Sequence, residues 1–301
     1  MSKPSIGIAL GGGGVRGAAH IGVIQELENA KVGIDIIAGV SAGAVVGAMY
    51  AYSMDGRWIE EQFRKVMSST SFDKVISKKI LEYARPNSPF GKLKKIFINH
   101  LIAILSLHKT SIFDSKELKN MLELIIPART FKELQIPIKV VSTDISSGHN
   151  IIIDNGNLID ALLRSCAIPG IMAPIIDGNK LIVDGGVGMP LPVPILKDKC
   201  DVIIAIDIGI YKFKRMRKIN ARNIKIRSDI ITSNKLKERF ANEADIIIRP
   251  ETEGLHWSRF DSSDILFENG KKATKLSLPL LNNIIENKNI IEKERIVEFK
   301  Y

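Results

Sequence analysis

Cysteine is scarce in this sequence: the 301 residues include only two, Cys166 and Cys200. Two cysteines are too few for the disulfide framework of a small secreted protein, so we expect free thiols in a reducing compartment. Hydrophobic residues make up 45% of the chain and charged residues 25%, which is typical of a soluble globular protein with a sizeable core. This composition excludes a disordered chain, a collagen and a coiled coil.

The sequence also lacks the signals of export and of metal binding. No basic segment at the N-terminus leads into an apolar stretch and a cleavage site, so we predict no signal peptide. No group of histidine, cysteine and acidic residues has metal-ligand spacing, and we therefore expect no metal. These absences favour a cytoplasmic protein, with peripheral association at the inner face of the membrane as a further hypothesis.

One long stretch without charge is compatible in length with a membrane span. Between Asp35 and Asp55 lie nineteen uncharged residues, and glycines recur among them at the small-xxx-small spacing of packed membrane helices. However, residues 35–40 are typical of a strand, and Gly39 and Ser41 mark a break before a helix. We therefore favour a strand, a turn and a helix over a membrane span.

Acidic residues are few in the segment 211–240, which holds eleven Lys and Arg residues against two Asp and Glu residues. Nearly all of the net charge of +10 lies there. Such a stripe attracts polyanions, either nucleic acid or an anionic membrane surface, although a solvated basic loop and helix has the same pattern. Residues 92–107 combine an apolar helical face with a basic end, which is typical of a lid, a membrane-surface helix or a core helix.

Short apolar runs alternate with helical patterns along the chain, which indicates an α/β fold with a largely parallel sheet. We predict a three-layer architecture in which helices flank the central sheet. Right-handed crossovers bring the C-terminal ends of the strands to one edge, where ligands bind in such folds. The predicted strands are 5–10, 35–40, 138–142, 151–153, 181–183, 202–206 and 246–248, and the predicted helices are 15–30, 42–54, 115–126 and 160–165.

A glycine-rich loop, Gly12 to Gly17, joins the first predicted strand to the first helix. Its spacing matches the G-x-G-x-x-G pattern of dinucleotide-binding loops, in which backbone N–H groups and a helix N-terminus face an anion. A dinucleotide site also needs an acidic residue at the end of the second strand, whereas Asp35 stands at its start. The same loop could equally bind the oxyanion of a reaction intermediate instead of a pyrophosphate.

The end of the second predicted strand carries a motif of the G-x-S-x-G type, Gly39-Val-Ser-Ala-Gly43. Between a strand and a helix this pattern is typical of a nucleophile elbow, which holds Ser41 on a sharp turn with its hydroxyl at the sheet edge. Glycine at both ends removes the Cβ atoms that would collide there. The alternative is an ordinary serine cap of the second helix.

A serine nucleophile needs a base, and the sequence offers histidines and carboxylates at strand ends. In the chain order of α/β-hydrolases only His256 could serve, but an elbow after the first β–α unit argues against that fold. Asp144 and Asp184 both follow predicted strands. Asp184 is mildly favoured because Gly185 and Gly186 follow it, where two backbones can approach closely.

Together, the loop at Gly12–Gly17, the elbow at Gly39–Gly43 and the triplet Asp184–Gly186 resemble the patatin-like phospholipase family, in the family's order and context. The resemblance covers residues 3–210, and the small size is similar to that of the bacterial members. One departure is Met189, which stands where the family has an asparagine before the proline. This departure concerns local packing rather than the reacting groups.

The resemblance implies a patatin-like fold rather than an α/β-hydrolase, and a serine lipid acyl hydrolase without histidine or cofactor. Ser41 would be the nucleophile and Asp184 the proton acceptor, through an acyl-serine intermediate, with a phospholipid or lysophospholipid as substrate. The oxyanion would be met by four residues of the loop, Gly12, Gly13, Gly14 and Arg16. The remaining motif glycines are Gly17, Gly39, Gly43, Gly185 and Gly186.

We predict a patatin-like catalytic domain at 1–210 and a basic C-terminal extension at 211–301 that completes or packs on the same domain. Two other functions stay open from the residues alone: a nucleotide-binding oxidoreductase that uses the glycine loop, and a basic nucleic-acid-binding protein with an inactive hydrolase core. The first lacks the acidic residue at the second strand. The second lacks aromatic residues spread along 211–240 for stacking on bases, so we expect no nucleic-acid partner.

Overall fold

A computed structural model describes residues 3–67, 115–213, 215–216, 219–252 and 263–298 of the chain. The described strands belong to one eight-stranded sheet. In chain order they are β1 (Ile6–Leu10), β2 (Ile36–Val40), β3 (Ile138–Asp144), β4 (His149–Ile153), β5 (Ile175–Asp177), β6 (Lys180–Asp184), β7 (Val202–Ile206) and β8 (Ile246–Ile248).

Helices alternate with these strands over most of the described chain. Several begin at polar residues that cap the first turn; Asn157 and Asn220, for example, each accept a hydrogen bond from a backbone N–H group of the helix that follows. The helices are α1 (Ala18–Asn29), α2 (Ala42–Ser53), α3 (Gly56–Met67), α4 (Ser115–Ile125), α5 (Leu158–Ser165), α6 (Ala221–Ala241) and α7 (Ser263–Glu298).

The strand order in the sheet is β5–β6–β3–β2–β1–β7–β8, with β4 paired to β3. The five strands from β3 to β8 in that order run parallel to one another. On the other side of β3 the sheet becomes antiparallel, because β4 and β6 both run against β3 and β5 runs against β6. The chain fills the sheet outward from β1 in both directions, so a topological switch point lies between β1 and β7.

Two apolar cores lie on opposite faces of the sheet. All five residues of β1 are buried, as are those of β2 and β7, because helices or loops cover both faces of these central strands. Alternate residues of β1 divide between the cores: Ile8 belongs to the larger core, which includes residues of α1 and α2, and Ala9 to the smaller one, which includes Ala241 of α6. This three-layer arrangement fixes the strand ends that carry the candidate site.

The C-terminal helix α7 packs closely against α1 through glycines on both helices. A Cβ atom on Gly22 would lie 2.0 Å from the carbonyl oxygen of Phe267, and one on Gly270 would lie 2.2 Å from that of Ala19. Phe267 is fully buried within the larger core. The chain after residue 210 therefore contributes both a strand of the sheet, β8, and a helix of the core.

The predicted α/β architecture with a largely parallel sheet is confirmed. The uncharged stretch between Asp35 and Asp55 forms β2, a turn and α2, as predicted. Within the described ranges, no helix combines the length and hydrophobicity needed to cross a bilayer. The sequence did not predict β5, and the helix predicted over 92–107 lies outside the described residues.

Candidate active site

Ser41 occupies a strained turn between β2 and α2. Its φ of 54° and ψ of −125° place a non-glycine residue at positive φ, which costs of order 1–3 kcal/mol and persists only where the surroundings enforce it. Ser41 stands at the N-cap position of α2, but its side chain makes no capping hydrogen bond. The hydroxyl is therefore not used as a helix cap, which was the alternative interpretation of the motif.

The two glycines of the elbow are required by close backbone contacts. A Cβ atom on Gly39 would lie 2.6 Å from the Cα atom of Ala44, within the first turn of α2. A Cβ atom on Gly43 would lie 2.3 Å from the carbonyl oxygen of Leu10, at the end of β1. Gly17, at the end of the glycine-rich loop, likewise permits a close approach to α2, because its Cβ would lie 2.8 Å from that of Ala42.

Asp184 lies at the end of β6, with its carboxylate beside the hydroxyl of Ser41. Its carboxylate accepts a hydrogen bond of 2.7 Å from the backbone N–H of Gly186. Burial raises the pKa of Asp184 to about 6, although the Ser41 hydroxyl and the bond from Gly186 oppose the rise. A Cβ atom on Gly185 would lie 2.3 Å from the carbonyl oxygen of Val141, so this glycine lets the Asp184 turn approach β3.

The end of α5 supports the elbow from the other side. The hydroxyl of Ser165 accepts a 2.9 Å hydrogen bond from the backbone N–H of Ser41 and donates one of 2.6 Å to the carbonyl of Val141. The thiol of the next residue, Cys166, lies on the same side, beside the Ser41 hydroxyl. Burial, followed by the charge of Asp184, raises the pKa of this thiol, so it stays protonated near neutral pH.

The glycine-rich loop runs beside Ser41, and a Cβ atom on Gly12 would lie 3.4 Å from that of Ser41. The N–H of Gly12 already donates a 3.1 Å hydrogen bond to the carbonyl of Pro190. That donor is therefore occupied in this structure, and the role of Gly12 toward an oxyanion stays a prediction. Pro190, which follows the departure from the family pattern at Met189, thus fixes the glycine-rich loop through its carbonyl.

The next two residues of the loop, Gly13 and Gly14, have backbone N–H groups that are available as hydrogen-bond donors. No described residue accepts a hydrogen bond from the N–H groups of Gly13 or Gly14. The side chain of Arg16 folds back, and its Nε donates a 3.0 Å hydrogen bond to the carbonyl of Gly13. Burial lowers the pKa of Arg16 to about 10, which still leaves it charged at neutral pH. The loop therefore offers two backbone donors beside a fixed cation.

The other acid–base candidates of the sequence do not reach Ser41 in the described chain. Asp144 accepts hydrogen bonds from Ser146, Ser147 and Leu181, and so stabilises the turn between β3 and β4. His149 is exposed at the start of β4. The histidines at positions 100, 108 and 256 lie outside the described residues, and no group of possible metal ligands occurs among the residues that were described.

Three buried polar residues near the glycine loop were not assigned to the site from the sequence. His20 on α1 makes a 2.8 Å hydrogen bond through Nε2 to the carbonyl of Gly11. Lys237 on α6 donates a 3.2 Å hydrogen bond to the carbonyl of Gly12, and its Nζ lies 3.6 Å from Asp207, which follows β7. Asp207 follows a predicted strand, as Asp184 does, and this signal could have identified it.

A family model described as patatin-like phospholipase matches residues 8–197 of the chain. The chain is 31% identical over 212 residues to the neuropathy target esterase sws of Drosophila melanogaster, a match that covers 69% of this chain and 13% of that protein. It is 33% identical over 209 residues to an uncharacterized NTE family protein of Mycobacterium bovis, which covers 69% of this chain and 50% of that protein. The match thus spans at most half the length of these two relatives.

Among solved structures, human GIVD cytosolic phospholipase A2 resembles this chain with a TM-score of 0.53. The superposition covers 95% of this chain and 60% of that one, at 9% sequence identity. At so low an identity the likeness concerns the fold alone. It agrees with an α/β fold in which helices flank a mostly parallel central sheet.

Proposed function

The chain belongs to the patatin-like phospholipase family, and on this premise we propose that it is a serine lipid acyl hydrolase with Ser41 as nucleophile and Asp184 as base. The observation that carries the proposal is the position of the buried Asp184 carboxylate beside the Ser41 hydroxyl, which favours the ionised form of that carboxylate. With a pKa of about 6, this carboxylate is a stronger base than an exposed aspartate and is still ionised at neutral pH.

The reaction proceeds in two halves. First, the Ser41 oxygen attacks the ester carbonyl carbon, and the hydroxyl proton passes to Asp184. The tetrahedral intermediate expels the alcohol, which takes the proton from Asp184 and leaves an acyl ester on Ser41. Next, Asp184 removes a proton from water as the water oxygen attacks the acyl carbon, and collapse of this second intermediate returns the proton to the Ser41 oxygen and releases the fatty acid.

The negative charge of each tetrahedral intermediate needs donors that are already oriented. The N–H groups of Gly13 and Gly14 fill this role in the proposal, since no described residue accepts a hydrogen bond from them. Ser41 stands at the N-terminus of α2, whose dipole adds positive potential at the same place. Arg16 orients the loop through its bond to the Gly13 carbonyl rather than by direct contact with the oxyanion.

The proposed substrate is a phospholipid or a lysophospholipid. This choice rests on the family and on two names: one relative is named an esterase, and one structural neighbour is named a phospholipase. The protein would therefore work at a lipid surface. No metal or organic cofactor enters any step of the proposed reaction.

An anionic membrane is the proposed docking partner. After β7 the chain exposes Phe213, Ile219 and Ile224, of which Ile219 is 79% exposed. Basic residues accompany them: Arg215 is exposed, and the guanidinium of Arg227 lies 4.6 Å from the centre of the Phe213 ring. Exposed apolar side chains among cations match the chemistry of an anionic lipid surface. This face follows the C-terminal end of β7, the sheet edge at which Ser41 lies.

Fatty-acid release from mixed micelles of phospholipid or lysophospholipid tests the proposed reaction. We expect the wild type to release fatty acid and the Ser41→Ala and Asp184→Asn variants to lose at least about 10³-fold in kcat. The matched control is Asp177→Asn, which makes the same change at an exposed aspartate and should leave kcat unchanged. Fatty-acid release that persists undiminished in the Ser41→Ala variant would refute the proposal.

Sedimentation with vesicles tests the docking partner separately. The wild type should sediment with phosphatidylcholine vesicles that contain phosphatidylserine, and much less with phosphatidylcholine alone. Added salt should weaken the binding, as should Ile219→Glu, which places a negative charge on the exposed face. Absence of binding to the anionic vesicles at low salt, or a preference for duplex DNA over them, would contradict this part of the proposal.

A further inference from the structure

Three successive carbonyl groups of the glycine loop are each held by a basic side chain. The carbonyl of Gly11 accepts from His20 at 2.8 Å, that of Gly12 from Lys237 at 3.2 Å, and that of Gly13 from Arg16 at 3.0 Å. His20 and Arg16 are close to the loop in sequence, whereas Lys237 comes from α6, 225 positions away. A contact of this length joins the C-terminal part of the chain directly to the loop beside Ser41.

Lys237 is not one of the solvated cations of the basic segment, although the sequence gives no sign of a difference. Its side chain is only 4% exposed, whereas that of Lys235 on the same helix is 74% exposed. The buried face of α6 is Asn234, Lys237 and Ala241, at helical spacing. Because a buried ammonium group is costly unless it is paired, its position requires a specific set of partners.

Asp207 supplies the opposite charge. Its side chain is fully buried, and its Oδ1 lies 3.6 Å from the Lys237 ammonium. The carboxylate also accepts hydrogen bonds from the N–H of Gly209, the hydroxyl of Tyr211 and the guanidinium of Arg249. Burial acts to raise the pKa of Asp207, but Lys237 and the bonds from Tyr211 and Gly209 hold it below its ordinary value. The pair is therefore charged and fixed in place.

The bond from Lys237 also fixes the direction of a neighbouring donor. In a planar trans peptide the C=O and the following N–H point to opposite sides. Since the Gly12 carbonyl points to Lys237, the Gly13 N–H of the same peptide unit points away from it, and no described residue accepts its hydrogen bond. Glycine has little steric preference of its own, so the orientation of this peptide depends on such contacts.

We propose that Lys237, paired with Asp207, is a positioning residue that holds the Gly12–Gly13 peptide so that the Gly13 N–H can receive the oxyanion. This role rests on the proposed function, because it concerns the same reaction. Lys237 does not touch the substrate in this scheme. A cation on the carbonyl also polarises the peptide and strengthens its N–H as a donor.

The charged state of Lys237 gives the proposal a pH signature. Burial lowers the pKa of Lys237 to about 8, and Asp207 opposes this effect. Above that pH the ammonium loses its proton and its hold on the Gly12 carbonyl weakens, so kcat/KM should fall as the pH rises through about 8. The titratable groups that face Lys237 or its partner are Asp207, Arg16, His20, Tyr211 and Arg249.

The test is the hydrolysis of a water-soluble short-chain p-nitrophenyl ester, which avoids any effect on membrane binding. Lys237→Met should lower kcat by about 10²-fold, the loss typical of one oxyanion donor, with little change in KM. Lys235→Met is the matched control: it makes the same change two residues away on the exposed face and should retain the kcat of the wild type. A folded Lys237→Met variant with the kcat of the wild type would overturn the proposal.

The Lys237→Arg variant decides the matter if Lys237→Met does not fold. Arginine stays charged to much higher pH, so the fall of kcat/KM above pH 8 should disappear in this variant. An unchanged fall in Lys237→Arg, or no fall near pH 8 in the wild type, would overturn the role of Lys237. Failure of the proposed function looks different, because wild type and Ser41→Ala would then hydrolyse the ester equally.

Discussion

At the scale of single residues, the Asp184 carboxylate is held in an environment that favours reaction over stability. Burial raises its pKa to about 6, which means that the folded protein binds a proton there more tightly than the unfolded chain. The ionised form required of a base is therefore the form that destabilises the fold. Ser41 adds to this with its positive φ of 54°. Stored strain of this kind is common where a protein does chemistry.

Asp184→Asn should therefore stabilise the protein at neutral pH while it abolishes hydrolysis. A shift in the pKa of Asp184 from 3.8 to about 6 means that the ionised carboxylate destabilises the folded wild type by about 3 kcal/mol at most. This destabilisation is fully present above pH 6 and absent below pH 4. Because the folded-state pKa is raised, the wild type loses stability as pH rises through this window and the variant does not. Urea unfolding of both proteins at pH 4 and pH 7 measures the difference.

The control for this prediction is Asp177→Asn. The pKa of Asp177 is lowered, first by its hydrogen bond with Arg164, so its substitution should not increase stability at neutral pH. Equal stability of wild type and Asp184→Asn at pH 7, with the control behaving as expected, would show that the Asp184 carboxylate is not destabilised by burial.

The sequence identifies Ser41 and Asp184 because each belongs to a short local motif with glycines at fixed positions. It cannot identify Lys237 in the same way. Lys237 is one of eleven basic residues between 211 and 240, and only its place on the buried face of α6 separates it from Lys235. The sequence also does not predict that the N–H of Gly12 is occupied, because its acceptor, the carbonyl of Pro190, is distant in the chain.

At the scale of secondary-structure elements, the site depends on how closely α2 approaches the ends of β1 and β2. Glycines at the elbow make this approach possible, since backbone atoms occupy the space of any Cβ atom there. The central strands were predictable from continuous apolar runs such as 202–206. Strand β5 was not, because it has three residues, Ile176 is 74% exposed, and its pairing with β6 gives no hydrophobic signal.

Gly43→Ala should destabilise the protein severely. Its Cβ would lie 2.3 Å from the Leu10 carbonyl oxygen, which belongs to a central strand and cannot move away. We expect a loss of more than about 3 kcal/mol in the free energy of unfolding, or failure to fold. Gly33→Ala is the control: it meets only the Lys3 ammonium at 3.9 Å and should change stability by less than about 0.5 kcal/mol. Similar melting temperatures for both variants would contradict this packing.

At the scale of the whole molecule, the segment after residue 210 contributes to the core and to the loop beside Ser41. Strand β8 pairs with β7, α7 packs on α1, and α6 carries Lys237 to the Gly12 carbonyl. The boundary predicted at 210 came from where the family resemblance ends. Sequence patterns do not reveal these contacts, because the partners are separated by most of the chain.

A chain truncated to residues 1–210 should therefore fail to fold cooperatively. The truncation removes Leu266 and Phe267 from the larger core and leaves β7 as an unpaired edge, which favours aggregation. Solubility on expression and a thermal melt, compared with the full chain, measure the effect. A soluble 1–210 fragment with a sharp melt and full esterase activity would mean that the catalytic domain is independent of the extension.

We propose that Asp184 activates the Ser41 hydroxyl, and covalent labelling tests this claim. The protein is treated with a fluorophosphonate probe, with and without mixed micelles, and the modified peptide is located by mass spectrometry. We predict one adduct on Ser41 in the wild type, none in Ser41→Ala, and labelling slowed by at least about 10²-fold in Asp184→Asn. A folded wild type that stays unlabelled in micelles, or equal labelling of the Ser41→Ala variant, would contradict the claim.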